Sequence, residues 1–206
     1  MKLQKLFPTY IYQSRLTTES KIQKLNKELL IESYQIQHSD LDGQTWSEKN
    51  YLGGFTTYGS MSRLDKFSST FDQLKTHLDK HVEKFVRELE FDVAKGSIKL
   101  NSLWLNIMPS FVVHTSHLHP QSVISGTYYL QMPPKASALK VEDPRLNSFM
   151  AAPARKPTAH LDRQTYISVK ATPGDLILFE SWLRHEVPPS LNKKDRISIS
   201  FNYDWH

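Results

Sequence analysis

The hydrophobic pattern of this chain changes its period near residue 97, and this change constrains the fold more than any other feature. Over residues 68–89 apolar side chains recur every three or four positions, which predicts an amphipathic helix capped by Ser68 or Ser69. Beyond residue 97 apolar and polar residues alternate, which predicts strands. The predicted strands cover residues 97–108, 123–132, 139–142, 166–170, 176–179 and 196–203. Helices followed by six or more strands indicate helices packed on a β-sandwich or an open barrel.

The first part of the chain contains fewer clear signals. Residues 7–12 are predicted to form a short edge strand, and a helix is predicted from Thr17 or Thr18 to about Tyr34. Residues 37–66 are polar and rich in turn residues, so we expect a lid or flank there. Residues 144–160 contain several prolines and are expected to form a loop near the barrel mouth. We expect a single domain, 1–206, with a helical part over 1–96 and a β core over 97–206.

Composition excludes several classes of site. The chain has no cysteine, which rules out disulfides, thiolate catalysis, zinc ribbons and iron–sulfur clusters. Its net charge of +5 is not clustered, which favours a solvated basic surface over a nucleic-acid groove. We find no hydrophobic segment of a signal peptide and no apolar run of membrane-spanning length, so the expected location is cytoplasmic, without a membrane partner.

Two histidines one residue apart form the first candidate site. In an extended segment, His117 and His119 point to the same side, so both imidazoles can reach one point. A first-row metal ion is a common reason for such an arrangement. A third ligand must then come from elsewhere, and our candidate is His185, which follows another apolar strand.

The last predicted strand presents a polar face that begins with an arginine. Odd positions of residues 196–203 are apolar, whereas Arg196, Ser198, Ser200 and Asn202 occupy the even ones. If this face points into a barrel, the buried guanidinium requires an anionic partner. A guanidinium binds a carboxylate with two hydrogen bonds, and Ser198 adds a hydroxyl donor on the same face.

Taken together, these motifs resemble the 2OG-Fe(II) oxygenase family over roughly residues 100–203. The motifs are H-x-H-P at 117–120, S-G-x-Y-Y at 125–129, D-P-R at 143–145, G-D-L-x-L-F-x-S-W-L-x-H-x-V at 174–187 and R-I-S-I-S-F-N at 196–202. Any one of them alone is a weak signal, whereas the set is specific.

The resemblance implies an α+β, mainly β fold. This is a double-stranded β-helix, also called a jelly roll and cupin-like, with two N-terminal helices packed outside. Its mouth would hold Fe(II), chelated by 2-oxoglutarate, and dioxygen would be the co-substrate of a hydroxylation. His117, His119 and His185 would hold the metal. Arg196, Ser198, Tyr129 and Asn106 would bind 2-oxoglutarate. The substrate, a small molecule or a peptide, is not readable from the sequence.

The sequence departs from the usual pattern of this superfamily at His119. The usual ligand set is two histidines and one carboxylate, and His119 occupies the carboxylate position. Either the three histidines form the site or a carboxylate arrives from elsewhere, with Asp143, Glu180 and Asp175 as the candidates. A missing carboxylate could also open a position for a halide, as in halogenases.

Two further alternatives stay open at this point. One is a non-catalytic cupin-like module that binds a metal or a small acid, although such a module would not need a clamp for a dicarboxylate. The other is a three-histidine dioxygenase of the thiol type, which uses no 2-oxoglutarate. A homodimer is a further expectation.

Overall fold

The computed structural model describes residues 2–16, 20–145 and 150–206. Within these ranges four helices precede the main strands, rather than the two that were predicted: α1 (Ser20–Ser39), α2 (Leu41–Asn50), α3 (Leu64–Phe67) and α4 (Ser69–Glu88). Helix α4 begins at the predicted cap, since the Ser68 hydroxyl accepts hydrogen bonds from the backbone N–H groups of Thr70 and Phe71. The predicted caps of α1, Thr17 and Thr18, lie outside the described residues.

The segment predicted to be turn-rich contains part of this helical structure. Helix α1 continues to Ser39, beyond the predicted end at Tyr34, and α2 starts after Asp40. The Asp40 carboxylate caps α2 by accepting a hydrogen bond from the Gly43 N–H, over 2.9 Å. The buried residues of α2 are Gly43 and Ser47. Because neither is apolar, the helix has no hydrophobic stripe that a periodicity argument could detect.

In the described part of the chain, ten strands form two antiparallel sheets. They are β1 (Ile11–Arg15), β2 (Phe55–Thr56), β3 (Ile98–Met108), β4 (His114–His117), β5 (Ile124–Gln131), β6 (Leu139–Glu142), β7 (Tyr166–Val169), β8 (Asp175–Glu180), β9 (His185–Val187) and β10 (Arg196–Trp205). The six-stranded sheet has the order β1-β8-β5-β10-β3-β2, and the four-stranded sheet the order β4-β9-β6-β7. The two sheets do not close into a barrel. Their antiparallel strands nevertheless match the double-stranded β-helix, so the predicted jelly roll is confirmed.

The six-stranded sheet is covered on both faces. One face packs against α1 and α4, where Ile197, Ile199 and Phe201 of β10 join Leu74 and Leu78 of α4 in one apolar cluster. The opposite face meets the four-stranded sheet through a second, smaller cluster. The polar face of β10 is therefore directed between the sheets, which is the environment that the sequence argument required for Arg196.

One local expectation was wrong. Strand β1 begins at Ile11, so most of the predicted 7–12 strand lies outside it. Phe7 has a φ of 54°, a left-handed backbone conformation that a strand cannot contain. In the turn between β8 and β9, Trp182 is 46% exposed, whereas Leu183 beside it is buried. In the part of the chain that the structure describes, no helix is long and apolar enough to cross a membrane.

Candidate metal and cofactor site

Two of the candidate metal ligands are cross-strand partners in the four-stranded sheet. His117 at the end of β4 lies opposite His185 at the start of β9, and their ring centroids are 4.4 Å apart. The Nδ1–H of His117 donates to the Thr115 carbonyl over 2.6 Å, and that of His185 to the Leu183 carbonyl over 2.9 Å. Because a carbonyl can only accept, these bonds fix the tautomers and leave both Nε2 lone pairs available.

The third histidine completes a compact group. His119 follows β4, where its backbone N–H donates to the Ser181 carbonyl over 3.0 Å. Its ring is nearly parallel to that of His185, and the two Nε2 atoms are 3.3 Å apart. One ring nitrogen of each of the three histidines lies within 4.8 Å of the others. Two nitrogens bound about 2.1 Å from one ion are about 3.0 to 3.4 Å apart for bond angles of about 90 to 109°, so the group fits a metal ion.

Burial keeps two of these imidazoles, those of His119 and His185, neutral. Desolvation, followed by the charges of the neighbouring histidines, lowers the pKa of His119 to about 3. Desolvation followed by the charge of His117 lowers the pKa of His185 to about 4. Both side chains are therefore unprotonated at neutral pH, which is the state that a metal ligand requires.

No carboxylate of residues 2–16, 20–145 and 150–206 belongs to this group. The Asp175 carboxylate accepts from the N–H and the hydroxyl of Thr172, so it stabilises the turn before β8. Asp143 forms an ion pair with Arg145. Glu180 ends β8 and lies outside the group. Of the two ligand sets that the sequence left open, the described residues supply only the three histidines.

A cavity of about 630 Å³ connects the histidines with the polar face of β10. Arg196 lines it and is only 2% exposed. Its Nη1–H donates to the Ser198 hydroxyl over 3.2 Å and to the Met108 sulfur over 3.1 Å, but its Nε–H has no partner in the described part of the chain. A buried guanidinium with an unused donor fits an anionic group that is not part of the chain.

The other predicted cofactor residues form one cross-strand row beside this arginine. Ser198 pairs with Asn106 of β3 on one side and with Tyr129 of β5 on the other. Tyr129 is fully buried, its ring centroid is 5.2 Å from the guanidinium carbon of Arg196, and its hydroxyl has no partner in the same described ranges. The Asn106 amide is already engaged, since it accepts from Thr56 and donates to Ser200. Within this row the Tyr129 hydroxyl is therefore available to a ligand, the Ser198 hydroxyl accepts from Arg196, and the Asn106 amide is occupied.

The sequence argument missed one pair at this site. The Tyr51 hydroxyl, just after α2, is hydrogen-bonded to Nε2 of His114, and both side chains line the cavity. Burial, followed by the positive charge of Arg196, lowers the pKa of His114 to about 3, so its imidazole is neutral. Only the aromatic character of residues 46–58 hinted that this segment packs on the core. Nothing in the pattern placed Tyr51 beside a histidine 63 positions later.

Comparison with solved structures supports the same fold. A Pseudomonas putida prolyl-4-hydroxylase superposes with a TM-score of 0.61 at 15% identity, covering 96% of this chain and 94% of its own. The epimerase SnoN from nogalamycin biosynthesis gives 0.66 at 13% identity, over 95% and 76% of the two chains. EctD from S. alaskensis gives 0.65 at 12%, over 96% and 73%. At these identities the likeness establishes the fold. No curated protein sequence matches the chain.

The sequence itself matches a family model over residues 102–202, the stretch that runs from β3 through β10 and includes the three histidines and Arg196. That model is described as "Putative 2OG-Fe(II) oxygenase". The cofactors of this family are Fe(II) and 2-oxoglutarate, and both fit the donor groups described above. Residues 102–202, just under half of the chain, therefore match the 2OG-Fe(II) oxygenase family.

Proposed function

We propose that His117, His119 and His185 hold Fe(II), that Arg196 with its neighbours binds 2-oxoglutarate, and that the enzyme hydroxylates its substrate. One observation carries this proposal: three imidazoles converge at one wall of a cavity whose other wall contains a buried arginine that has no carboxylate partner among the described residues. The iron with 2-oxoglutarate and dioxygen supplies the oxidising chemistry. The chain's own residues bind, orient and shield these groups.

Arg196 is suited to the far carboxylate of 2-oxoglutarate. A cation that is 2% exposed is costly unless an anion neutralises it, and a carboxylate can accept two hydrogen bonds from a guanidinium. The Ser198 hydroxyl accepts from Arg196, so its own proton is free to donate to the same carboxylate. The Tyr129 hydroxyl is a second free donor, whereas Asn106 contributes mainly by fixing the row through its bonds to Thr56 and Ser200.

Three histidine ligands favour hydroxylation over halogenation. His117, His119 and His185 would supply three protein ligands to Fe(II), which would leave room on the ion for 2-oxoglutarate and dioxygen. A halide would require an empty protein position, which His119 fills in this arrangement. The Nε2–Nε2 distance of 3.3 Å between His119 and His185 supports coordination by both. The same 2-oxoglutarate clamp argues against a thiol-type dioxygenase, which needs no such acid.

Predictions about the substrate, the domain organisation, the location and the oligomeric state accompany this function. Similar structures include a prolyl hydroxylase in complex with a peptide fragment and SnoN in complex with nogalamycin RO, so a peptide and a small molecule are both represented among the substrates of this fold. We propose that residues 1–206 act as one oxygenase domain, with the helical part closing the cavity through Tyr51. The cytoplasmic location and the homodimer stay predictions.

Anaerobic spectroscopy tests the proposal directly. Fe(II) added to the protein with 2-oxoglutarate should give a weak visible charge-transfer band, and air should then convert 2-oxoglutarate to succinate. His185→Ala should remove both signals, because it deletes one of the two ligands whose tautomers the backbone fixes. His160→Ala, in an exposed loop, is the matched control and should behave like the wild type. Succinate formation by His185→Ala at the wild-type rate would refute the ligand assignment.

A further inference from the structure

The outer part of the cavity contains no charged group. Its lining includes no Asp, Glu or Lys side chain of the described ranges, and Arg196 is the one arginine there, at the inner end. Asn50 is an exposed amide of the lining, and its Nδ2–H donates to the Trp46 carbonyl over 2.9 Å. A charged substrate would lose its hydration on entry and find no opposite charge to replace it.

One wall of this outer part is a continuous series of aromatic rings. The ring centroids of Trp46 and Tyr58 are 6.0 Å apart, those of Tyr58 and Trp104 are 5.3 Å apart, and Trp104 lies 6.0 Å from His119. We call Trp46, Tyr58 and Trp104 the aromatic wall. It leads from the solvent to the histidine group, since Tyr58 is 53% exposed and Trp104 is buried.

The aromatic wall is fixed by local packing. A Cβ atom on Gly59 would lie only 2.3 Å from the Cγ of Trp46, so the glycine allows the backbone to lie directly on the indole. The rings also contact each other edge to face, at interplanar angles of 61° and 67°. Because neighbouring rings pack directly on one another, they form a wall rather than an open cage around a cation.

The mouth of the cavity is surrounded by exposed apolar side chains. Leu52 is 78% and Phe111 is 68% exposed, and the half-exposed Val113 and Leu118 complete the rim. Apolar groups collected in this way at the entrance of a cavity are typical of ligand-binding sites, because isolated exposed apolar residues have no reason to cluster there.

We propose that the substrate is an uncharged molecule whose apolar ring packs against the aromatic wall, with the reacting carbon directed towards the histidine group. This proposal rests on the oxygenase function proposed above. An anionic substrate would find no basic side chain outside the cofactor end. A cationic substrate would find no carboxylate, in a protein whose net charge is already +5.

Three indoles that differ in charge test this proposal. Tryptophol is neutral, indole-3-acetate is an anion and tryptamine is a cation, and all three carry the same ring. Binding of each to the full chain, loaded with Zn(II) and 2-oxoglutarate so that no turnover occurs, is measured by calorimetry. Tryptophol should bind at least tenfold more tightly than either charged analogue. Tighter or equal binding of a charged analogue, or no binding of tryptophol, would overturn the proposal.

A pair of tyrosine variants assigns the binding to the wall. Tyr58→Ala removes the central ring and should weaken tryptophol binding about five- to tenfold. Tyr10→Ala is the matched control, because Tyr10 is 52% exposed and lies outside the cavity lining. Equal losses in both variants would overturn the assignment. Binding of 2-oxoglutarate to the Zn(II) protein is measured separately: its failure would contradict the proposed function, whereas a failure confined to the indoles contradicts only this substrate class.

Discussion

Two backbone carbonyls determine how the histidines present themselves. Since Thr115 and Leu183 accept the Nδ1–H groups of His117 and His185, neither ring can rotate or change tautomer without losing a hydrogen bond. The proposed ligand set contains no carboxylate of the described residues. Ligands without negative charge leave the full charge of a bound ion uncompensated. Because position 119 is where a carboxylate would otherwise stand, the affinity of the site for the ion depends on the residue at this position.

Replacing His119 by an acid tests this charge argument. His119→Asp restores a carboxylate ligand, so we expect Fe(II) to bind roughly tenfold more tightly than in the wild type, about 1.4 kcal/mol. His119→Ala should weaken binding and open a position for chloride, detected as a shift of the charge-transfer band when chloride is added. Anaerobic competition with a chelator measures both affinities. Weaker binding by His119→Asp than by His119→Ala would show that position 119 does not face the metal.

Arg196 and Ser198 should affect 2-oxoglutarate to different degrees. Ser198→Ala removes one hydroxyl hydrogen bond, about 1 kcal/mol, or roughly a fivefold weaker affinity. Arg196→Ala removes the buried cation and should weaken 2-oxoglutarate binding by at least about thirtyfold, about 2 kcal/mol. Calorimetry with the Zn(II) protein gives both values, and the Zn(II) affinity without 2-oxoglutarate should be unchanged. A Ser198→Ala loss as large as that of Arg196→Ala would place the carboxylate away from the arginine.

At the scale of elements, the sequence predicted those whose signal is local. Helix α4 carries its cap and its complete apolar stripe within 21 consecutive residues, and β10 alternates along its length. Strand β9 has three residues, and its register with His117 depends on a partner 68 positions earlier. The histidine and arginine motifs were therefore readable. The Tyr51–His114 contact was not, because α2 buries a glycine and a serine rather than an apolar stripe.

The contact between α4 and β1 makes the stability of the protein depend on pH. Nδ1 of His81 lies 2.7 Å from the Tyr12 hydroxyl, and burial, followed by the charge of Lys84, lowers the pKa of His81. Below about pH 6.5 the unfolded chain takes up this proton before the folded one does, so the free energy of unfolding falls as the pH falls. His81→Gln should reduce this slope between pH 7 and 5 in urea titrations.

A second variant separates the titration of His81 from its hydrogen bond. Tyr12→Phe keeps the imidazole buried and removes only the hydroxyl, so it should lower the free energy of unfolding by about 1 kcal/mol at every pH and retain the slope. If His81→Gln kept the wild-type slope, the pH dependence would originate in other groups, among them His114, whose pKa burial lowers to about 3.

At the scale of the whole molecule, the proposed cofactors would join the two sheets. The four-stranded sheet supplies His117 and His185, and the six-stranded sheet supplies Arg196 and its row. Between them lies the cavity of about 630 Å³, lined on one side by residues of the helical part. A metal ion would contact mainly the four-stranded sheet, whereas 2-oxoglutarate would extend from the metal to the six-stranded sheet. The two ligands should therefore stabilise the fold in separable steps.

Thermal unfolding can resolve these two steps. A ligand at one hundred times its dissociation constant stabilises the folded state by about 2.7 kcal/mol, which corresponds to a rise in Tm of about 5 to 10 °C for a chain of this size. We expect Zn(II) to give one such increment and 2-oxoglutarate a second one that requires the metal.

Arg196→Ala should keep the first increment and lose most of the second, because it removes the anchor on the six-stranded sheet. His185→Ala should lose both, since without the metal 2-oxoglutarate is held at one end only. A chelator should return the wild type to its starting Tm, and an unchanged 2-oxoglutarate increment in Arg196→Ala would mean that the acid does not reach across the cavity.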